Sequence, residues 1–347
     1  MISYKKIILL LAFVATVAEV SAQQLVVGLD FDTRFDNREY SGMGYETSET
    51  LFSARLTPQV GLRWDARNAL MIGVDLLQNF GDESKFLTEA KPLMWYQYES
   101  PKVTAVAGIF SRTKLSGDYG EAFFDRSFLF YHNRIQGVMG QYHTENGFVE
   151  MAIDWEGMQS STCREKFRIL SAGQYNGAYL YGGYALSVLH FAKTSAPVEG
   201  EGVVDNILIN PYVGVRFSAF FDFDIRLGYL QSFQRDRYIS DSRTPKGGVL
   251  DIRMSRWGLS LGNMLYVGQN GMPFYDSYGA ALYANSVGFG TRKNIYNRTD
   301  ISYGRHFFNN TLGVKAGMFF HYDGVSVGTQ QLLEVSVRLQ KIFTKKK

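Results

Sequence analysis

The chain has 347 residues, a formal net charge of +3, 20% charged residues and one cysteine, Cys163. A near-neutral balance offers no basic surface for nucleic acid, and a lone cysteine rules out a disulfide framework. With 26 Phe, 22 Tyr and 35 Gly against 7 Pro, the composition points to strands and closely packed walls.

The chain opens on MISYKK, an apolar run IILLLAFVATV and then AEVSAQ. A cationic start, a short apolar core and a small-residue motif read as a secretory signal peptide over 1–22, with Val20 and Ala22 at the cleavage site. The mature chain is expected to begin near Gln23 and to form a single domain over 23–347. Beyond the signal no stretch approaches 18 uninterrupted apolar residues, so a helical membrane span is excluded.

From there the dominant pattern is period two. Leu25, Val27, Leu29, Phe31 and Phe35 share one face of the first segment, opposite Gly28, Asp30, Asp32 and Arg34. The second puts Phe52, Ala54, Leu56, Val60, Leu62 and Trp64 opposite Arg55 and Arg63. Leu70, Ile72, Val74 and Leu76 mark a third strand, Met94, Tyr96 and Tyr98 a fourth, and Val103 to Phe110 a fifth. Later repeats carry Val149, Met151, Ile153 and Trp155, then Phe223, Ile225, Leu227 and Tyr229, and finally Leu333, Val335, Val337 and Leu339. Each runs about ten residues, enough for a tilted strand to cross a bilayer. Boundaries blur over 164–192 and 255–295. Pro58 and Pro211 fall inside apparent strands and are expected at bulges.

Short links (DARN, SPK, ENG, YNG, FFNN) alternate with longer ones at 36–49, 80–91, 111–133, 192–206, 235–247 and 268–293. That asymmetry, with aromatics such as Trp64, Tyr98, Trp155, Trp257 and Phe343 near strand ends, favours a membrane barrel over a soluble sandwich. The expected fold is all-β: a transmembrane antiparallel up-and-down β-barrel of about 16 strands, with 14 the alternative. The last strand, LLEVSVRLQKIF, ends on Phe343, and in this the chain resembles Gram-negative outer-membrane barrels of the porin type. It departs from them in the three lysines that follow. The resemblance implies an outer-membrane location, outer-membrane lipid and the barrel-assembly machinery as partners, the latter through the C-terminal strand. It also allows a homotrimer.

On this reading Asp30, Asp32, Arg34, Arg55, Arg63, Glu150, Asp154, Arg168, Arg216, Arg226, Arg298, Asp300, Lys315, Glu334 and Arg338 line a mixed-charge lumen. By the same resemblance the 111–133 segment is the third outer loop, which in such barrels often folds inward. Its constriction candidates are Arg112, Lys114, Asp118, Glu121, Asp125 and Arg126. The aromatic-rich 268–293 link suits loop packing or sugar stacking.

The expected function is passive diffusion of small hydrophilic solutes. The alternatives are a plugged barrel that binds through its outer loops and a lipid hydrolase. For hydrolysis, His143 and Asn146–Gly147 in GQYHTENG are similar to a motif of the outer-membrane phospholipases, but Glu145 stands where that family keeps its serine. The five histidines lack ligand spacing. No catalytic, cofactor or metal residues, and no enzymatic activity, are therefore expected.

Overall fold

The structure is a computed structural model that describes residues 24–44, 48–81 and 85–344. The signal-peptide reading, the expected start at Gln23 and the terminal lysines lie outside the described residues. Seventeen strands follow in order: β1 (Gln24–Glu39), β2 (Glu49–Trp64), β3 (Asn68–Asn79), β4 (Glu89–Glu99), β5 (Val103–Ser111), β6 (Arg134–Thr144), β7 (Gly147–Gly157) and β8 (Lys166–Asn176). Then come β9 (Leu180–Phe191), β10 (Val204–Ser218), β11 (Asp222–Asp236), β12 (Asp241–Arg243), β13 (Lys246–Arg256), β14 (Leu259–Gly268), β15 (Ile295–Phe307), β16 (Leu312–Tyr322) and β17 (Val327–Thr344).

Each wall strand pairs antiparallel with its sequence neighbour. β11 pairs directly with β13, so the three-residue β12 is only a flap on the β11–β13 link and the wall has 16 strands. Pairing of β1 with β17, from Gln24↔Thr344 to Glu39↔Thr329, closes the barrel and leaves no edge.

The period-two pattern becomes the two faces of this wall. In β7, Glu150, Ala152 and Asp154 are buried toward the lumen, while Met151 (56% exposed) and Trp155 point outward. Met94 (57%) and Leu227 (58%) are exposed in the same way, so a band of large apolar side chains rings the outside. A closed sheet with such a band is a membrane-spanning barrel. Aromatic pairs sit at both ends of the band. Trp64 stacks on Tyr96, and Phe217 on Phe223, near the short turns; Trp155 stacks on Phe167 at the other end.

The short links gather on one rim with the start of β1 and the end of β17. Two of these links are only two residues long, and in one of them, Trp257–Gly258 between β13 and β14, both residues have positive φ (54° and 88°), the conformation of a type I′ hairpin. The opposite rim carries the long links, and also two that the sequence reading passed over, 158–165 and 323–326.

The prolines correct an expectation. Pro58 faces Leu29, and Pro211 faces Tyr184, without any shift of register. Toward β3 and β11 the pairing resumes in the same register beyond each proline. Neither is a bulge, because flanking ladder bonds on two neighbouring strands hold the register across the missing donor. The register shift instead falls between Trp155 and Gly157, against β8.

Met151 lies at the middle of β7 on the outward face. Met151→Arg should lower the folding free energy in lipid vesicles by about 2–4 kcal/mol. Denaturant titration of refolding checks this, and an unchanged midpoint would remove the assignment of that face to lipid.

Candidate functional site

The 112–133 segment does not lie on the surface. It enters the lumen at Arg112, whose guanidinium bonds Asp154 of β7 and donates to the carbonyls of His132 (3.1 Å) and Arg134 (2.9 Å). Buried Glu150, also on β7, then receives the backbone N–H of Ser116 (2.7 Å) and Gly117 (2.9 Å), the Tyr119 hydroxyl (3.0 Å) and the Gln141 amide (2.9 Å). A carboxylate that accepts four donors is a strong local clamp.

Further along, Asp118 pairs with Arg226 of β11 at 2.8 Å, and Glu121 pairs with both Arg126 and Arg298 of β15. Asp125 caps helix α1 (Arg126–Tyr131) by accepting the Phe128 N–H. From β1, Arg34 donates to the Arg126 carbonyl at 2.7 Å. Lys114 donates to Gln97 and lies 4.0 Å over the Trp95 ring; burial pushes it down to about 8. All six loop residues singled out in the sequence thus sit on an inserted segment that touches walls on opposite sides of the barrel.

A second insertion meets the first. Residues 269–294, with the one-turn helix α2 (Tyr275–Tyr278), bond it at Asp125 N–H to Ala284 O (2.8 Å) and Ser286 N–H to Glu121 O (3.0 Å). Tyr278 and Tyr283 tie this loop to Asp236 and Gln234 of β11. Phe123, Phe124, Met272, Phe274, Leu282 and Phe289 join inward wall residues such as Ile135, Leu170, Leu189 and Leu230 in one buried apolar cluster across the lumen. The 268–293 link is therefore packing, as its composition allowed. The lumen retains an outer chamber of about 700 Å³ and a smaller one of about 380 Å³, with Arg112 and Asn133 lining both.

The fifteen wall residues assigned inward by alternation all fall on the lumen-facing parity of their strands, and most are neutralised there. Arg34 pairs with Asp36 and Glu334, Arg55 with Asp75, and Arg168 with Glu156. Arg298 also bonds Asp300, Arg216 bonds Asp224, and Arg338 bonds Asp32, with Asp30 at 3.8 Å. Arg63 and Lys315 share the inward face without an ion pair of this kind among the described residues. Asp36, Asp75 and Glu156, the acidic partners of Arg34, Arg55 and Arg168, were not singled out in the sequence, although each lies on the inward parity.

The outward face holds a constellation that sequence reasoning missed. At the long-loop end of β9, the Nδ1 of His190 lies 2.8 Å from the carboxylate of Asp205 on β10, and Arg237 holds the other carboxylate oxygen at 2.9 and 2.7 Å. Cross-strand register continues the row as Trp155, Phe167, His190, Asp205 and Arg235. Phe167 lies between the Trp155 ring (5.3 Å) and the His190 ring (5.1 Å). A histidine on lipid-facing parity one residue from a strand end was the available signal, but strand boundaries were blurred there.

His143 lies at the short-turn rim beside Phe148, and Glu145 occupies the turn, so that fragment supplies no nucleophile. Among the described residues no cluster of three or more His, Cys, Asp or Glu side chains could hold a metal.

Burial alone would raise the Glu121 carboxyl, but Arg298 and Arg126 outweigh it and hold it at about 2. The resulting stabilisation of the inserted loop is complete above the ordinary carboxylate range and is lost as pH falls toward 2. Hydrogen exchange of residues 112–133, corrected for the intrinsic pH dependence of amide exchange, should therefore accelerate between pH 5 and pH 2. In Glu121→Gln it should already be fast at pH 5, reflecting about 3 kcal/mol for a broken buried pair. Equal exchange in the two proteins at pH 5 would contradict this.

Solved barrels align over nearly the whole chain at low identity. OprB of Pseudomonas putida has a TM-score of 0.54 at 10% identity, over 91% of this chain and 94% of that one. A loop-deletion form of the outer-membrane protein OmpT of Vibrio cholerae gives 0.57 at 9%, over 91% and 100%. The outer-membrane protein OpdK of Pseudomonas aeruginosa gives 0.51 at 8%, over 92% and 100%. These likenesses establish the porin-type fold. No curated protein sequence matches the chain. The profile of one family, described as lipid A 3'-O-deacylase-type, matches residues 17–345. Because that family is named for an enzymatic activity, the match overturns the expectation that the chain is not an enzyme. Spanning nearly its full length, it places this chain in the lipid A 3'-O-deacylase-type family.

Proposed function

We propose that this barrel is an outer-membrane acyl-ester hydrolase that removes a fatty acyl chain from an outer-leaflet glycolipid of the lipid A type. The chemistry would run on the outward rim rather than in the lumen. The observation that carries this reading is the His190–Asp205 pair, a hydrogen-bonded base and carboxylate on lipid-facing parity at the long-loop rim.

Asp205 fixes the imidazole with Nδ1 as donor, leaving the Nε2 lone pair to accept a proton from water. The water oxygen attacks the ester carbonyl, and the bond to the sugar oxygen breaks. The imidazolium returns its proton to that oxygen, so one ester and one water give one alcohol and one fatty acid. Trp155 and Phe167 offer apolar surface for an acyl chain, while Arg235 and Arg237 place positive charge where an anionic headgroup would sit. The plug supports lateral access, since a lipid substrate reaches the rim without entering the lumen.

Barrel refolded in vesicles containing lipid A should release fatty acid detectable by mass spectrometry, and His190→Gln should slow release by about 10²–10⁴-fold. Asp205→Asn should also slow it while leaving the barrel folded. A wild type that releases nothing, or a His190→Gln protein at full rate, would end the proposal.

A second reading, passive solute diffusion, is favoured by the two lumen chambers, which share Arg112 and Asn133 in their linings. The apolar cluster weighs toward a closed state. Planar-bilayer recording separates the two readings, since diffusion requires a steady current from wild-type protein.

A further inference from the structure

The outward wall from β13 to β16 carries a feature that contact with lipid alone does not require. Asn263, the fifth of the ten residues of β14, lies on the outward parity between Leu261 and Leu265. Register places it in the row Ile252, Asn263, Thr299 and Phe320, with Asn297 two residues from Thr299 on the same face of β15. The Asn263 amide donates to the Thr299 hydroxyl at 2.8 Å and to the Asn297 carbonyl at 3.3 Å. Asn297 donates back to the Asn263 carbonyl at 3.2 Å and to the backbone carbonyl of Met264 at 3.3 Å, and the Thr299 hydroxyl donates to the Asn297 carbonyl at 3.2 Å. Two amides and a hydroxyl thus form a polar island at mid-strand, within a wall of aliphatic and aromatic side chains.

Acyl chains give such an island nothing to bond, whereas polar side chains inside a bilayer hold membrane-embedded partners together. Its donors are used internally, so a single barrel tolerates it. The two bonds at 3.3 Å are long, and an amide arriving at the same depth can replace them. The occupant must therefore present a polar group at this depth. A second copy of this chain does so by necessity, because rotation about the membrane normal leaves depth unchanged. Beside the island the outer wall is hollowed into a shallow groove of about 550 Å³, lined by Phe35, Leu259, Ile301, Tyr303, Ala316 and Leu333. In a two-fold pair the β16 side of one copy faces the β13 side of the other, which brings Ile252 and Met254 of the second copy toward that groove.

We infer that the outward wall from β13 to β16 is a self-association surface, on which two copies of this chain pair about a two-fold axis along the membrane normal. The Asn263, Asn297 and Thr299 islands meet at that axis, and aliphatic side chains of each copy fill the groove of the other. This inference is independent of the hydrolase reading, which concerns the His190–Asp205 rim on β9 and β10.

Cross-linking of the full barrel refolded in lipid vesicles tests it. With Cys163→Ser removing the exposed native thiol, Leu261→Cys beside the island should give a covalent dimer with a short bis-maleimide, and Met151→Cys on β7 should stay monomeric. Energy transfer between barrels labelled at Cys163, followed against the protein-to-lipid ratio, then gives the strength of pairing. Asn263→Leu combined with Asn297→Leu should weaken pairing roughly threefold to thirtyfold, the loss of hydrogen bonds inside the bilayer, without lowering the denaturant midpoint of the barrel. Monomers at every ratio overturn the proposal, and cross-linked trimers overturn the two-fold axis. Equal cross-linking through Met151→Cys reduces the dimer to random collision and overturns the surface. Unchanged pairing with a lowered midpoint overturns the island's part in it and leaves it a local brace. Should the double variant fail to fold, the contrast between Leu261→Cys and Met151→Cys decides by itself. Fatty-acid release enters none of these readouts, so failure of the hydrolase reading leaves this one standing.

Discussion

The pairing of β1 with β17 is the constraint on which the rest depends. Once the sheet closes, every wall strand satisfies its backbone groups on both sides, and every second side chain must face a confined interior. The outward set can be uniformly apolar because lipid asks nothing else of it. The inward set carries arginines and carboxylates that are removed from bulk water, so each must find a counter-charge or a hydrogen-bonding partner.

Two inserted loops answer that demand. Glu150 has no cationic partner among the described residues of the wall and is satisfied by the backbone of residues 116–117, Tyr119 and Gln141. Arg298 draws Glu121 across the lumen, and Arg226 draws Asp118. The wall charges thus specify where the 112–133 segment lands, and the 269–294 segment packs against it with aromatic and aliphatic side chains. The same closure divides the protein's chemistry between two surfaces. The lumen keeps a polar chamber lined by arginines and carboxylates, while the outward rim keeps the His190–Asp205 pair beside Phe167 and Trp155.

Much of the architecture was legible because strand alternation is a local property. Leu25, Val27 and Leu29 against Asp30, Asp32 and Arg34 state both faces of β1 without reference to any other strand, and link lengths separate the two rims. The prolines were misread because a missing donor implies a bulge only when nothing else holds the register, and at Pro58 and Pro211 two neighbouring strands hold it. His190 escaped notice because its partner, Asp205, lies across a long link, and neither residue makes a motif by itself.

The sequence alone determined which side chains face lipid and which face inward, and that about 16 strands form the wall, since these follow from period, length and loop asymmetry, whereas the entry of residues 111–133 into the lumen was implied only by the resemblance to porin-type barrels. Tertiary structure decided the pairings. Arg34 meets Glu334 from the far end of the chain, Glu121 meets Arg298, and three guanidinium groups converge on Asp75 and Asp154 only after closure and loop insertion. Charge matching in a closed lumen depends on distances between residues remote in the chain, and a one-dimensional pattern of alternation carries no information about those distances.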